Sequence, residues 1–286
     1  MKNAVIIGVL LVLLGAAAYY YFSIYQPEAT GVAQSTTPAP AVIPPRTPDP
    51  EPAQSLTEPE VVAVPESGME ATAPPQVEEI PLPMLMDSDP LVLQTLGGLI
   101  GESAVIQYLV SDNVISRVVA TVDTMGGTRI PGIVQVVKGP ESEFEATGNN
   151  QPEVVIFNEE GDPLPQFIID PANYKRYTPY VELLEAMDTT LLIENYQSHY
   201  PLFQEAYRQM GYSNGAFNTR LLALIDELLA TPEVTDPVNL VKPEAFYLFT
   251  DPDLESRSAG QKIMLRMGRA NADRVKQKLR EIRSAL

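Results

Sequence analysis

Apolar positions along this chain follow three successive regimes, and each implies a different kind of structure. Residues 4 to 25 form a stretch of 22 without a charged side chain. At about 1.5 Å per residue a helix of that length spans roughly 33 Å, which matches a hydrocarbon core of about 30 Å. From 26 to 85 the apolar residues lose all periodicity. From 86 onward a spacing of three and four returns, predicting helices over 90–99, 102–110, 112–124, 171–187 with a break near Thr178, 189–210 with a kink or break at Pro201, 216–230, 252–267 and 269–285. Between residues 126 and 170 β-branched runs and turn residues predict short strands over 133–137, 143–147, 154–157 and 167–169, as a small sheet inserted into the helical body. The expected fold is thus a mainly α-helical domain over 86–286 with a small β region, behind a transmembrane anchor (4–25) and a disordered linker (26–85).

Local chemistry sharpens the helix ends. Asp89-Pro90, Asp170-Pro171 and Asp251-Pro252 suit an N-cap carboxylate followed by proline in the first turn, and Thr178-Pro179 repeats the device. Gly211 and Gly268 stand where helix-terminating glycines belong. In 216–230, Phe217, Leu221, Leu224 and Leu228 line one face and Leu222, Ile225 and Leu229 widen it, so this helix is expected at the centre of the core.

Composition and charge then place the segments. Lys2 precedes the apolar stretch and acidic residues follow it, which by the positive-inside rule puts the N-terminus in the cytoplasm and the body across the membrane. Tyr19, Tyr20, Tyr21, Phe22 and Tyr25 suit the headgroup level at its far end and favour a retained anchor over a signal peptide cut near Ala16-Ala17-Ala18. The linker holds 14 of the 27 prolines and nine acidic residues against Arg46 alone, so it repels itself and buries too little to fold. The chain has no cysteine, which excludes disulfides, thiolate catalysis and Cys-ligated zinc.

Several segments are worded distinctively: 170–180 (Asp-Pro-Ala-Asn-Tyr-Lys-Arg-Tyr-Thr-Pro-Tyr), 200–207, Phe217-Asn-Thr-Arg-Leu221, Leu229-Ala-Thr-Pro232 and Ser258-Ala-Gly-Gln-Lys262 with Arg266-Met-Gly268. Over roughly residues 80 to 286 they resemble an uncharacterised family of Gram-negative bacterial proteins, single-pass and anchored in the inner membrane, whose domain is of unknown function. The resemblance implies the same anchor, linker and domain, and it brings no catalytic residues.

Candidate chemistry is sparse. His199 is the sole histidine, which rules out a His-pair metal site by counting; beside Tyr200-Pro201 it is expected at the surface or near a helix end. No phosphate-binding loop, dinucleotide fingerprint, nucleophile elbow or EF-hand loop occurs, and no cofactor is expected. Gly97, Gly98 and Gly101 read as a helix break. Glu182, Glu185, Asp188, Glu194, Asp226 and Glu227 supply generic carboxylate pairs, so an envelope hydrolase acting on peptidoglycan or peptide stands as the alternative function.

Two constellations are candidates for binding. Seven of the nine tyrosines beyond the anchor fall between 174 and 212, and Tyr174, Tyr177, Tyr180, His199, Tyr200 and Tyr207 are the candidate lining of a peptide or glycan groove, against helix packing as the plainer reading. Residues 257–286 carry a net charge of +7 against −18 for 86–256. Val275, Leu279, Ile282 and Leu286 form an apolar seam by which the basic helix should dock. Arg274, Lys276, Lys278, Arg280 and Arg283 then either face the acidic body or recruit an anionic partner or membrane surface. Nucleic acid is not an expected partner, because the domain is acidic overall. The leading expectation is a periplasmic scaffold or adaptor that contacts an envelope protein and performs no catalysis.

Overall fold

The computed structural model describes residues 81–140 and 142–286. The anchor over 4–25 and all but the last few residues of the linker lie outside the described residues. Among the described residues no helix is long and apolar enough to cross a membrane.

The helices are α1 (Asp89–Ile100), α2 (Glu102–Tyr108), α3 (Val114–Met125), α4 (Ala172–Ala186), α5 (Thr189–Gln209), α6 (Phe217–Leu229), α7 (Pro252–Glu255), α8 (Ala259–Arg266) and α9 (Arg269–Ala285). Two of them organise the core. Helix α3 buries Val118, Val119, Val122 and Met125 against α1, α5, α6 and α8, while α9 lies on α4, α5, α6 and α8. Helix α6 touches both, with Phe217, Leu221, Leu224, Ile225 and Leu228 buried and Leu222 and Leu229 partly so, as its broad apolar arc predicts. The seam of α9 is found as expected: Val275, Leu279 and Ile282 are buried and Leu286 packs partly against the same cluster.

Two prolines thought to interrupt helices do not. Pro179 lies inside α4 and Pro201 inside α5, and both helices run through. Each proline removes one backbone N–H. Buried residues on both sides, Tyr177, Tyr180 and Val181 around the first and His199, Leu202 and Phe203 around the second, hold the helical path across the missing bond. Conversely, the single helix expected over 252–267 is two. Ser258 takes extended backbone, its Oγ accepts from Gln261 N, and Ala259 N donates to Gly127 O at 2.7 Å, so the chain restarts at α8.

The Asp-Pro devices differ in use. Asp251 caps α7 by accepting from Asp253 N, and Asp170 accepts from Ala172 N at the start of α4. Asp89 does not cap its own helix: its two oxygens accept from Asn113 N and Val114 N at 2.7 and 2.8 Å, capping α3. Gly97 and Gly98 are inside α1, and the break comes at Gly101 (φ +87°).

The sheet is antiparallel in the order β1 (Ala146–Gly148), β2 (Gln166–Ile169), β3 (Asn239–Val241), β4 (Leu248–Phe249). Thr147 pairs with Ile168, Phe167 with Leu240 and Val241 with Leu248. It is therefore not an insertion confined to 126–170: half of it follows α6. Of the expected strands, 133–137 is a 3-10 turn over Gly132–Val134 plus a bridge from Val137 to Leu109. Residues 154–157 contribute only a bridge from Phe157 to Pro163. Phe144, Ile169, Val238, Leu240 and Phe249 form a second small core with Leu265 of α8.

Candidate functional site

The aromatic candidates are built into the fold. On α4, Tyr177 is 1% exposed. Tyr180 is buried, donates to Lys138 O at 3.1 Å and meets the Tyr108 ring edge-on with centroids 5.0 Å apart. Tyr174 is half-buried and donates to Asp236 Oδ1, while Asn271 Nδ2 donates to its backbone oxygen. A Cβ placed on Gly268 would stand 2.6 to 2.9 Å from three ring atoms of Tyr174, so the ring fills the space that glycine leaves. On α5, Tyr200 donates to Gln204 Oε1, which also accepts from Phe217 N. Tyr207 stacks on Tyr212 at 4.4 Å, and Tyr212 donates to Asp123 Oδ2. Burial raises the hydroxyl pKa of Tyr174, Tyr177 and Tyr207, with Asp236 adding to the effect at Tyr174. These hydroxyls stay protonated, and those of Tyr174, Tyr180 and Tyr200 donate within the fold.

His199 is not at the surface. It sits in the middle of α5 and is 2% exposed. Nδ1 lies 3.1 Å from Asn195 O, and since a carbonyl only accepts, Nδ1 carries the proton. Nε2 is then a bare acceptor, and both it and Asn195 Oδ1 are buried without a partner among the described residues. Burial pushes the imidazole pKa down, which keeps the ring neutral.

Of the basic candidates of α9, Lys276 and Lys278 turn inward, each for an identifiable reason. Lys276 Nζ donates to Thr231 O just past the end of α6, and Lys278 Nζ to Met187 O at the end of α4, both at 2.6 Å. The same device recurs where Lys262 donates to Glu255 O and Oε1 at the end of α7, and where Arg220 donates to Asp123 O near the end of α3. Helix C-termini present unpaired carbonyls and partial negative charge, so buried cations there satisfy both. Arg274 grips Glu185 and Arg283 grips Asp226 through two hydrogen bonds each. Arg280 is exposed. Four of the five basic candidates of α9 thus have partners within the molecule, two of them carboxylates of the body.

The candidate carboxylates are engaged or solvated. Hydrogen bonds from Arg274 and Arg283 hold Glu185 and Asp226 below the usual carboxylate range, the direction opposite to that of a general acid. Asp188 caps α5 by accepting from Leu191 N at 2.9 Å, and Glu182 and Glu194 face solvent. Among the described residues no group of three or more His, Asp or Glu is placed to hold a metal ion. A depression lined by Thr231, Pro232, Met264, Leu265 and Lys276 among others has room for about 10 Å³, on the order of a single water molecule.

What the sequence reading passed over is a projecting hairpin. Leu164 N donates to Ile156 O and Asn158 N to Asp162 O, and the turn closes through Asn158, with Gly161 at φ +87°. On its first arm Val154, Val155 and Phe157 are 67%, 45% and 57% exposed. Glu153, Glu159, Glu160 and Asp162 surround them, all exposed. The signal was present as Val-Val-Ile-Phe followed by Asn-Glu-Glu-Gly-Asp-Pro, a strand and a turn. A run of apolar residues reads as core unless something shows that both of its faces lack cover.

Compared with curated proteins and with solved structures, the chain matches none. A family model matches residues 114–283, from the first residue of α3 to the last turn of α9, and so takes in the core, the sheet and the hairpin. On that match, which covers more than half of the chain, the protein belongs to the family described as protein of unknown function (DUF3014).

Proposed function

We propose that this protein is a membrane-tethered scaffold or adaptor of the bacterial cell envelope, with its N-terminus in the cytoplasm and its folded domain in the periplasm, and that it acts through protein contacts. The tethering rests on the uncharged stretch 4–25 and the proline-rich acidic segment after it. The contact role rests on one observation: Val154, Val155 and Phe157 are held out to solvent on a hairpin, while Tyr177, Tyr180, Lys276 and Lys278, singled out from sequence, are buried in the fold. Exposed apolar groups gathered within a polar rim mark interaction surfaces.

Photo-cross-linking in living cells, from probes placed at Val154, Phe157 and Arg280, tests the reading. A specific protein neighbour captured at the hairpin is the expected result. Absence of any protein adduct from all three positions overturns it. A compartment-specific reporter fused after Leu286 checks the topology, with activity expected only from the reporter that works outside the cytoplasm.

A further inference from the structure

We infer that the arm over residues 155–157, which follows a bend at Glu153 and Val154, takes up an extended, basic segment of a partner protein as an added antiparallel or parallel strand. This deepens the scaffold reading and rests on it. The geometry comes first. Phe157 and Pro163 are paired across the hairpin, but the two hydrogen bonds that close the pair belong to their neighbours, Leu164 N to Ile156 O and Asn158 N to Asp162 O. In an antiparallel ladder this makes Phe157 and Pro163 a non-hydrogen-bonded pair, so the N–H and C=O of Phe157 point away from the hairpin. By the two-residue alternation of an extended chain, those of Val155 point the same way. Neither residue has a backbone hydrogen-bond partner among the described residues. The arm is therefore an open strand edge.

The opposite arm cannot serve in the same way. Pro163 and Pro165 have no N–H, and Pro165 O already accepts from Lys242 N at 3.1 Å, so that edge offers no donor at either position. Strand addition is thus directed to one side of the hairpin, where alternate side chains of the incoming segment meet exposed Val154, Val155 and Phe157.

Charge selects the occupant. Residues 149–165 contain Glu153, Glu159, Glu160 and Asp162 and no basic residue. A second copy would bring two such acidic hairpins together, and the chain's own linker carries nine acidic residues against one basic residue. An anionic lipid surface is repelled on the same ground. A segment that alternates apolar with lysine or arginine side chains meets both requirements, since its backbone completes the edge and its cations face the rim.

The test uses the full chain in nanodiscs and a fluorescent eight-residue peptide of alternating Lys and Val, with a Glu–Val peptide as comparison. We expect anisotropy to register binding of the Lys–Val peptide and none of the Glu–Val peptide. Phe157→Ser and the double change Glu159→Gln, Glu160→Gln should each weaken binding tenfold or more, whereas Glu194→Gln, on exposed α5 surface, should leave it unchanged. N-methylation of alternate peptide bonds should abolish it. All of these side chains but the α5 control lie on the hairpin surface, and an unchanged melting temperature verifies the fold. Equal affinity for Phe157→Ser, or for the N-methylated peptide, overturns strand addition, as does absence of binding. Self-association that Phe157→Ser abolishes would make the occupant a second copy and also overturns it. Cellular cross-links from Arg280 but none from the hairpin would remove this inference and leave the scaffold reading standing.

Discussion

At the scale of single residues, His199 and Gly268 make the strongest demands on their surroundings. The imidazole of His199 has a folded-state pKa below the ordinary value of 6.5, so the unfolded chain binds more protons than the folded one as pH falls through 6.5. Its contribution is fully present above that value and is lost toward the lower folded-state value. Replacing it with leucine, which cannot titrate, should make the melting temperature less sensitive to pH between 7 and 5, as read by calorimetry on both proteins. Parallel curves would refute this. Gly268 combines a positive φ of +81° with the ring of Tyr174 against its α-carbon. Strain of about 1–3 kcal/mol from the backbone alone, at about 2–4 °C per kcal/mol for a domain of this size, puts the expected fall for Gly268→Ala at several degrees. Gly98, with nothing within 4 Å of the added Cβ and an ordinary helical conformation, is the control and should not melt lower on the same change.

At the scale of elements, the cations of α9 act as caps for other helices. Lys276→Met and Lys278→Met each strip a hydrogen bond from a helix-end carbonyl, and each should cost about 1–3 kcal/mol by denaturant titration. Arg280→Met, on the exposed side, should stay within about 0.5 kcal/mol. Equal effects at all three would contradict the capping role. The helices themselves were legible from spacing, because an apolar arc of period 3.6 persists over a dozen residues in α3, α6 and α9. Strands β3 and β4 were not, since Asn239–Val241 and Leu248–Phe249 are too short to show alternation and the first finds its partner across α4, α5 and α6. Pro179 and Pro201 misled for the opposite reason: local propensity argued for a break, and packing on both sides prevailed. The opposed charges of α9 and the body were visible in the sequence, but a lysine that seeks a carbonyl and one that seeks a carboxylate look alike there. His199 gave no sign of burial, being one polar residue on a broad apolar face.

At the scale of the whole molecule, acidic residues outnumber basic ones by 18, and their local partners decide how the domain responds to acid. Hydrogen bonds to Arg117 for Asp112, to Ala172 N and Thr147 for Asp170, and to Arg274 and Arg283 for Glu185 and Asp226 depress all four carboxyl pKa values. A depressed folded-state pKa contributes stability above the unfolded value near 4, and that contribution disappears as pH drops through the folded value. Circular dichroism should therefore show the steepest loss of stability below about pH 4, and a chain equally stable at pH 3 and pH 6 would contradict it. Order along the chain adds a temporal constraint. Helix α9 is synthesised after every element it covers, so a nascent polypeptide carries the seam between α4, α5 and α6 uncovered until those last turns emerge. Chaperones escorting the unfinished chain meet that stripe, and ribosome-stalled intermediates lacking α9 should be their best-held clients.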